Sequence, residues 1–117
     1  MLVGFEHHEL PGGMVVVAIA GKLMLGSESQ QLETLVDELL AEGRRAFVLD
    51  LSAVTRIDST GIGRFIYCYN RISGNGGKLA LAGAKGYLRE GFAVSRLDTV
   101  LRFYADVETA VRALGTY

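Results

Sequence analysis

Short apolar stretches alternate with stretches of helical periodicity along this chain, and that alternation constrains the fold more than any other feature. The run Met14–Ala20 (MVVVAIA) is rich in β-branched residues and apolar on both faces, as is typical of a strand buried within a sheet. Further along, Leu32, Leu35, Val36, Leu39 and Leu40 recur at helical spacing. Strands that alternate with helices favour a mostly parallel sheet, because each helix returns the chain to the edge where the next strand begins.

The predicted element order is ββαβαβαβα, an α/β fold with a mostly parallel five-stranded sheet. The five strands are predicted over residues 2–10, 14–20, 46–51, 78–82 and 100–104. One helix is predicted to open at Gly26-Ser27, where Ser27 and Gln30 have capping-box spacing, and to close at Gly43. Others are predicted over residues 59–73 and 85–94, and the last begins after a cap from Asp106 and runs to about Leu114. The first strand is polar and suits a sheet edge.

The helix predicted over residues 59–73 has two distinct faces. Apolar residues at three- and four-residue steps are expected to face the core: Ile62, Phe65, Ile66, Tyr69 and Ile72. On the opposite, outer side lie Arg64, Tyr67 and Arg71. Arg and Tyr are enriched in interface hot spots, so this outer side is either a partner-binding face or an ordinary solvated helix face.

Composition narrows the class of function. The 117 residues suit one domain, spanning 1–117, and the formal net charge of −1 gives no general attraction for nucleic acid. A single cysteine, Cys68, allows neither an internal disulfide nor a cysteine-based metal site, and indicates a reducing, cytoplasmic setting. Cys68 is expected to be a small, partly buried apolar residue rather than a reactive thiol. The longest apolar run is too short for a membrane span, and the N-terminus lacks signal-peptide features. No cofactor is expected.

The most informative segment lies where the third strand gives way to the second helix, at Asp58-Ser59-Thr60-Gly61. A helix N-terminus has unpaired N–H groups and partial positive charge, so a phosphate on a hydroxyl there is favoured. Gly61 and Gly63 cost roughly 1 kcal/mol each relative to Ala inside a helix, which indicates close approach by another surface. The simpler alternative is that Asp58 or Ser59 is an N-cap and Gly61 a packing glycine.

The residues Asp50-Leu51-Ser52 through Val54, followed by Ile57-Asp58-Ser59-Thr60-Gly61-Ile62-Gly63, resemble the signature of STAS-domain anti-sigma-factor antagonists. Two flanking regions are similar to the same family, namely Gly76–Leu81 and Leu97–Phe103 with the amphipathic segment 107–114. The resemblance implies the STAS fold and a protein-binding module rather than an enzyme.

The resemblance also implies a regulatory cycle. By this resemblance, Ser59 is expected to be phosphorylated by a GHKL-type anti-sigma-factor serine kinase and restored by a PP2C-type phosphatase. The unphosphorylated form is expected to capture the kinase and so free a sigma factor. Asp58, Thr60, Gly61 and Gly63 form the recognition loop, with Thr60 only a second-choice acceptor. One departure is Met24, which stands where many relatives carry an acidic residue.

The sequence supports other functional hypotheses less well. A serine hydrolase needs a base near Ser59, but His7 and His8 are the only histidines and lie on the predicted edge strand. Neither a G-x-S-x-G elbow nor a P-loop occurs. The two histidines are neighbours on a strand and point to opposite faces, which disfavours a metal pair. Within the fold, the alternative is a STAS subunit of a stress-signalling complex or of a lipid-transport ABC system, which needs no phosphorylation.

Overall fold

The computed structural model describes residues 3–24, 30–94 and 96–115. Five strands are formed by β1 (Val3–Leu10), β2 (Met14–Leu23), β3 (Ala46–Ile57), β4 (Lys78–Ala82) and β5 (Arg102–Tyr104). Four helices are formed by α1 (Gln31–Ala41), α2 (Ser59–Gly74), α3 (Gly86–Val94) and α4 (Val107–Gly115), and a 3₁₀ turn spans Leu97–Thr99. The predicted element order is confirmed. The predicted cap at Ser27 lies outside the described residues.

The sheet has the order β1-β2-β3-β4-β5, with β1 antiparallel to β2 and the remaining pairs parallel. The polar strand β1 lies at an edge, as its sequence predicts. Side chains alternate across β2: Val15, Val17 and Ile19 belong to the larger core cluster, which also holds side chains of α1, α2 and α3. Val16 belongs to a smaller cluster on the opposite face, which Ala110 and Leu114 of α4 complete. Three helices therefore cover one face of the sheet and α4 covers part of the other.

Strands β2 and β3 are both longer than predicted, and β3 continues to Ile57. The register of the pair slips twice, between Ala18 and Ala20 and again between Gly21 and Lys22. At the first slip, Asp50 Oδ1 accepts hydrogen bonds from the amide of Ser52 at 3.0 Å and from its hydroxyl at 2.8 Å. Such bulges interrupt the side-chain alternation and bend the strand. Because the residues after Leu51 include polar ones that do not alternate regularly, the sequence did not predict the second half of β3.

The core face of α2 is narrower than predicted. Its buried residues are Gly61, Phe65, Cys68 and Ile72, whereas the Ile66 side chain is 41% exposed. The prediction that Ile66 faces the core is therefore wrong. The reason is that α2 packs through a narrow strip, with Phe65 in edge contact with Phe92 of α3 at 5.4 Å between ring centroids. Cys68, which the sequence predicted to be only partly buried, lies within this strip.

Candidate functional site

The candidate site lies where β3 meets α2, at the carboxyl edge of the parallel strands. Asp58 has extended backbone geometry (φ −119°, ψ −174°), and its Oδ1 accepts a hydrogen bond from the Gly61 amide at 3.0 Å. The Asp58 carbonyl accepts the first helical hydrogen bond, from the Ile62 amide at 3.0 Å. Asp58 is thus the N-cap of α2. Of the two N-cap candidates in the sequence, the aspartate fills that position and not the serine.

Ser59 is the first residue of α2, and its side chain is exposed. Asp58 occupies the N-cap position and accepts from the Gly61 amide, so the Ser59 hydroxyl does not serve as the cap. Thr60, the next hydroxyl along the chain, is partly buried. The structure therefore presents one exposed hydroxyl at the start of α2, in the partial positive potential of the helix N-terminus.

Gly61 marks the tightest contact of the site. A Cβ atom at this position would lie 2.0 Å from the Leu23 carbonyl oxygen and 2.7 Å from Cγ1 of Ile57. The close approach inferred from the sequence is therefore made by β2 of the same chain, and the packing interpretation of Gly61 is correct. This contact anchors the first turn of α2 against the ends of two neighbouring strands.

Gly63 differs from Gly61 in every respect that bears on packing. It is exposed, and a Cβ atom there would meet nothing within 4 Å. Its lack of a side chain therefore serves no contact within the described part of the chain. What Gly63 provides is a bare stretch of helix surface one turn beyond Ser59.

The three side chains predicted on the outer side of α2 contact α1. Arg64 pairs with Glu33 at 3.1 Å, with both side chains less than one-fifth exposed. Asp37 accepts hydrogen bonds from the Tyr67 hydroxyl at 2.6 Å and from Nε of Arg71 at 2.8 Å. These side chains, predicted to lie on a partner-binding or a solvated face of α2, form a polar seam between two helices. Their role in binding a partner stays a prediction.

The seam has a consequence for stability against acid. Burial acts to raise the pKa of Asp37, but hydrogen bonds from Tyr67 and Arg71 outweigh it and hold that pKa below the ordinary 3.8. A lowered folded-state pKa stabilises the fold above about pH 4, and the contribution is lost as pH falls further. We expect urea unfolding of the wild type to show a larger loss of stability between pH 5 and pH 3 than Asp37→Asn does. Glu38→Gln, at an exposed position of α1, is the control and is expected to follow the wild type.

Cys68 is fully buried, and burial is the largest cause that raises its pKa to about 12. The sequence-based expectation of an unreactive apolar residue is retained, with deeper burial than predicted. We expect native protein at pH 8 to react with a disulfide reagent at least ~100-fold more slowly than protein unfolded in guanidinium chloride. Rapid labelling of the folded protein, followed by absorbance, would contradict this placement.

The sequence did not predict three residues that contact the site or α2: Leu23, Glu33 and Asp37. Leu23 pairs with Ile57 in the sheet and presents its carbonyl to Gly61. Nothing in a local pattern marks such a backbone contact. Glu33 and Asp37 had a weak signal, since two acids share one face of α1 and two arginines share one face of α2, but the sequence does not say that these faces meet. Met24 directly follows β2 and is partly buried.

The described residues show neither a cluster of metal-ligating side chains nor a membrane-spanning helix. Within residues 3–24, 30–94 and 96–115, no group of three or more His, Cys, Asp or Glu side chains is placed to hold a metal ion. None of the helices in those ranges has the length and apolar character needed to cross a membrane. The site as described consists of a capped helix start with an exposed hydroxyl.

The helix start lies on a bulged central strand of a mixed five-stranded sheet that three helices cover on one face, which is the architecture of a small α/β domain. Residues 7–110 match the sequence profile of the STAS domain. The chain therefore belongs to the STAS domain family.

Solved structures agree with this assignment at the level of the fold. An anti-sigma factor antagonist from Mycobacterium paratuberculosis is 21% identical, with a TM-score of 0.82 over 96% of this chain and 93% of that one. A putative anti-sigma factor antagonist from Thermotoga maritima is 23% identical, with a TM-score of 0.84 over 94% and 93%. A sulfate transporter family protein from Wolinella succinogenes is 20% identical, with a TM-score of 0.81 over 93% and 90%.

Proposed function

We propose that this chain is an anti-sigma-factor antagonist, and that phosphorylation of Ser59 switches it off. In its unphosphorylated form it binds an anti-sigma-factor kinase of the GHKL type and so releases a sigma factor. The observation that carries the proposal is the position of Ser59: an exposed hydroxyl at the first residue of α2, beside a cap that Asp58 supplies. The chain acts as a cytoplasmic binding module, and Ser59 is a phosphate acceptor rather than a catalytic nucleophile.

The local electrostatics suit a switch that leaves the fold intact. A phosphate on Ser59 brings a charge of about −1.5 to −2, which the amides and dipole of the α2 N-terminus favour. Asp58 next to it is repelled, but solvent screening weakens that repulsion at an exposed site. The penalty of phosphorylation therefore falls on a complex in which Ser59 was buried as a neutral hydroxyl.

The similar solved structures support the proposal at the level of the fold, but they do not favour one function within the family. Two of the matched structures are described as an anti-sigma factor antagonist and a putative one, and the third as a sulfate transporter family protein. All three share the fold with this chain at similar TM-scores. What favours the antagonist function is the D-S-T-G-I-G segment, with its serine exposed in the structure.

The test is an affinity capture from the native host with wild type, Ser59→Ala and Ser59→Asp as baits, with phosphosite mapping of the recovered wild type. We expect a GHKL-type kinase on the wild type and Ser59→Ala, its loss from Ser59→Asp, and phosphate on Ser59 that a PP2C-type phosphatase removes. If all three baits retain the same partner and Ser59 is never modified, the switch is wrong. A membrane ATPase as that shared partner would instead support the transport alternative.

A further inference from the structure

Helix α2 has one side that no other part of the described fold covers. On one flank Tyr67 and Arg71 bond to Asp37 of α1, and on the other Phe65 contacts Phe92 of α3. Between these flanks, exposed residues recur at steps of four, three and four along the helix. We call them the outward stripe: Ser59, Gly63, Ile66 and Asn70.

The chemistry of the outward stripe is unusual for a solvated helix face. None of its four residues carries a charge, although α2 contains two arginines, both of which bond to acids of α1. Ile66 is one of three large apolar side chains that stand out as exposed in the described ranges, at 41%. Gly63, one turn before it, leaves the backbone bare at a cost of roughly 1 kcal/mol relative to Ala. Such a surface suits close contact with an apolar, uncharged protein surface.

We propose that the outward stripe is the docking surface for the kinase that modifies Ser59, with Ile66 as its apolar anchor. This inference rests on the proposed function and assigns the partner's footprint on α2. The kinase surface opposite Ile66 is an uncharged apolar pocket, and the kinase backbone or a flat side chain passes over Gly63. The seam of Arg64, Tyr67 and Arg71 serves to hold α1 against α2 beside that footprint.

The size of a stable interface places Ile66 inside it. A standard interface covers about 800 Å² per partner, which as a disc has a radius of roughly 16 Å. Ile66 follows Ser59 by seven residues, and at 1.5 Å per residue the two lie about 10 Å apart along the helix. Asn70 is about 16 Å from Ser59 and falls at the rim, while Ser73, at about 21 Å, falls outside. A kinase centred on Ser59 therefore covers Ile66 in any complex of ordinary size.

The stripe contrasts with the seam in what binding would require. A partner that used Arg64 or Tyr67 as anchors would have to compete with the bonds to Glu33 and Asp37. Replacing one set of hydrogen bonds with another yields little net affinity. Covering Ile66 only removes apolar surface from water, which is favourable without any intramolecular bond being broken.

The test uses two stripe variants, Ile66→Lys and Gly63→Arg, and two control variants, Val94→Lys and Ser73→Arg. Val94 is an aliphatic residue at the end of α3, 85% exposed, and Ser73 is exposed on α2 beyond the predicted footprint. Each protein is incubated with ATP and host-cell extract, and the initial rate of Ser59 phosphorylation is followed by mass spectrometry. Thermal unfolding of each variant verifies that it is folded.

We expect both stripe variants to be phosphorylated at least ~10-fold more slowly than wild type, because a buried unpaired charge replaces an apolar or bare contact. Both controls are expected to stay within twofold of wild type. If Ser59 of the wild type is modified and both stripe variants match it, the docking surface is wrong while the proposed function stands. If Ser59 of the wild type is not modified at all, both are overturned. Equal slowing in the controls would also overturn the assignment, since the effect would then not be local.

Discussion

Gly61→Ala is expected to lower the free energy of unfolding by about 3 kcal/mol, at the upper end of overpacking effects. The added Cβ would overlap the Leu23 carbonyl oxygen, at 2.0 Å, and Cγ1 of Ile57, at 2.7 Å. A strand carbonyl in a paired sheet has little room to move, so the start of α2 must shift instead. For a domain of this size, the loss corresponds to a fall of roughly 12 °C in Tm, measured by calorimetry.

Gly63→Ala is the matched control for that experiment. It makes the same chemical change two residues later, where the Cβ meets nothing within 4 Å. Because alanine is the better helix former, we expect this variant to be as stable as wild type or more stable, by up to ~1 kcal/mol. If Gly61→Ala were as stable as Gly63→Ala, the tight packing of α2 against the end of β2 would be contradicted.

Under the proposed function, phosphorylation of Ser59 is expected to weaken binding of the proposed anti-sigma-factor kinase by a few hundred-fold, about 3–4 kcal/mol. The cost arises because a complex that buries the neutral hydroxyl must bury an unpaired charge instead. Stoichiometrically phosphorylated protein and Ser59→Asp are titrated with the purified kinase by calorimetry, and the smaller charge of Asp is expected to produce the smaller loss. The Tm of both forms is expected to lie within a few degrees of wild type, since the α2 N-terminus accommodates an anion.

Ser73→Asp serves as the charge control for the Ser59 variants. It introduces the same carboxylate at an exposed position near the other end of α2. We expect its affinity for the kinase to equal that of wild type. If phosphorylated Ser59 protein bound the kinase as tightly as unmodified protein, exclusion of the charge from the interface would be the wrong mechanism.

Local sequence patterns predicted most of the fold. The β-branched run of β2, the helical spacing of α1 and the glycine turns between elements depend only on residues close together in sequence. The same holds for the start of α2, where an aspartate, a serine and a glycine within four residues already predict a capped helix N-terminus with a hydroxyl. The mostly parallel sheet and the edge position of β1 followed from the order and polarity of these elements, and the structure confirms them.

What the sequence did not disclose depends on contacts between distant segments. Gly61 meets Leu23 because two slips in the β2–β3 register bring the ends of those strands together. Arg64 and Arg71 look like outer-face residues until α1 is placed beside α2.

Ile66 shows the same division between sequence and tertiary structure. Its helical spacing predicts a core residue, yet α2 packs through a strip too narrow to include it. Hydrophobic periodicity reports which side of a helix is apolar, whereas the width of the buried strip depends on how its neighbours pack. By itself the sequence determined the elements, their order and the exposed serine at the start of α2. Only the tertiary structure decided which surface around that serine stays open, because the helix and strand ends that cover the rest are remote in the chain.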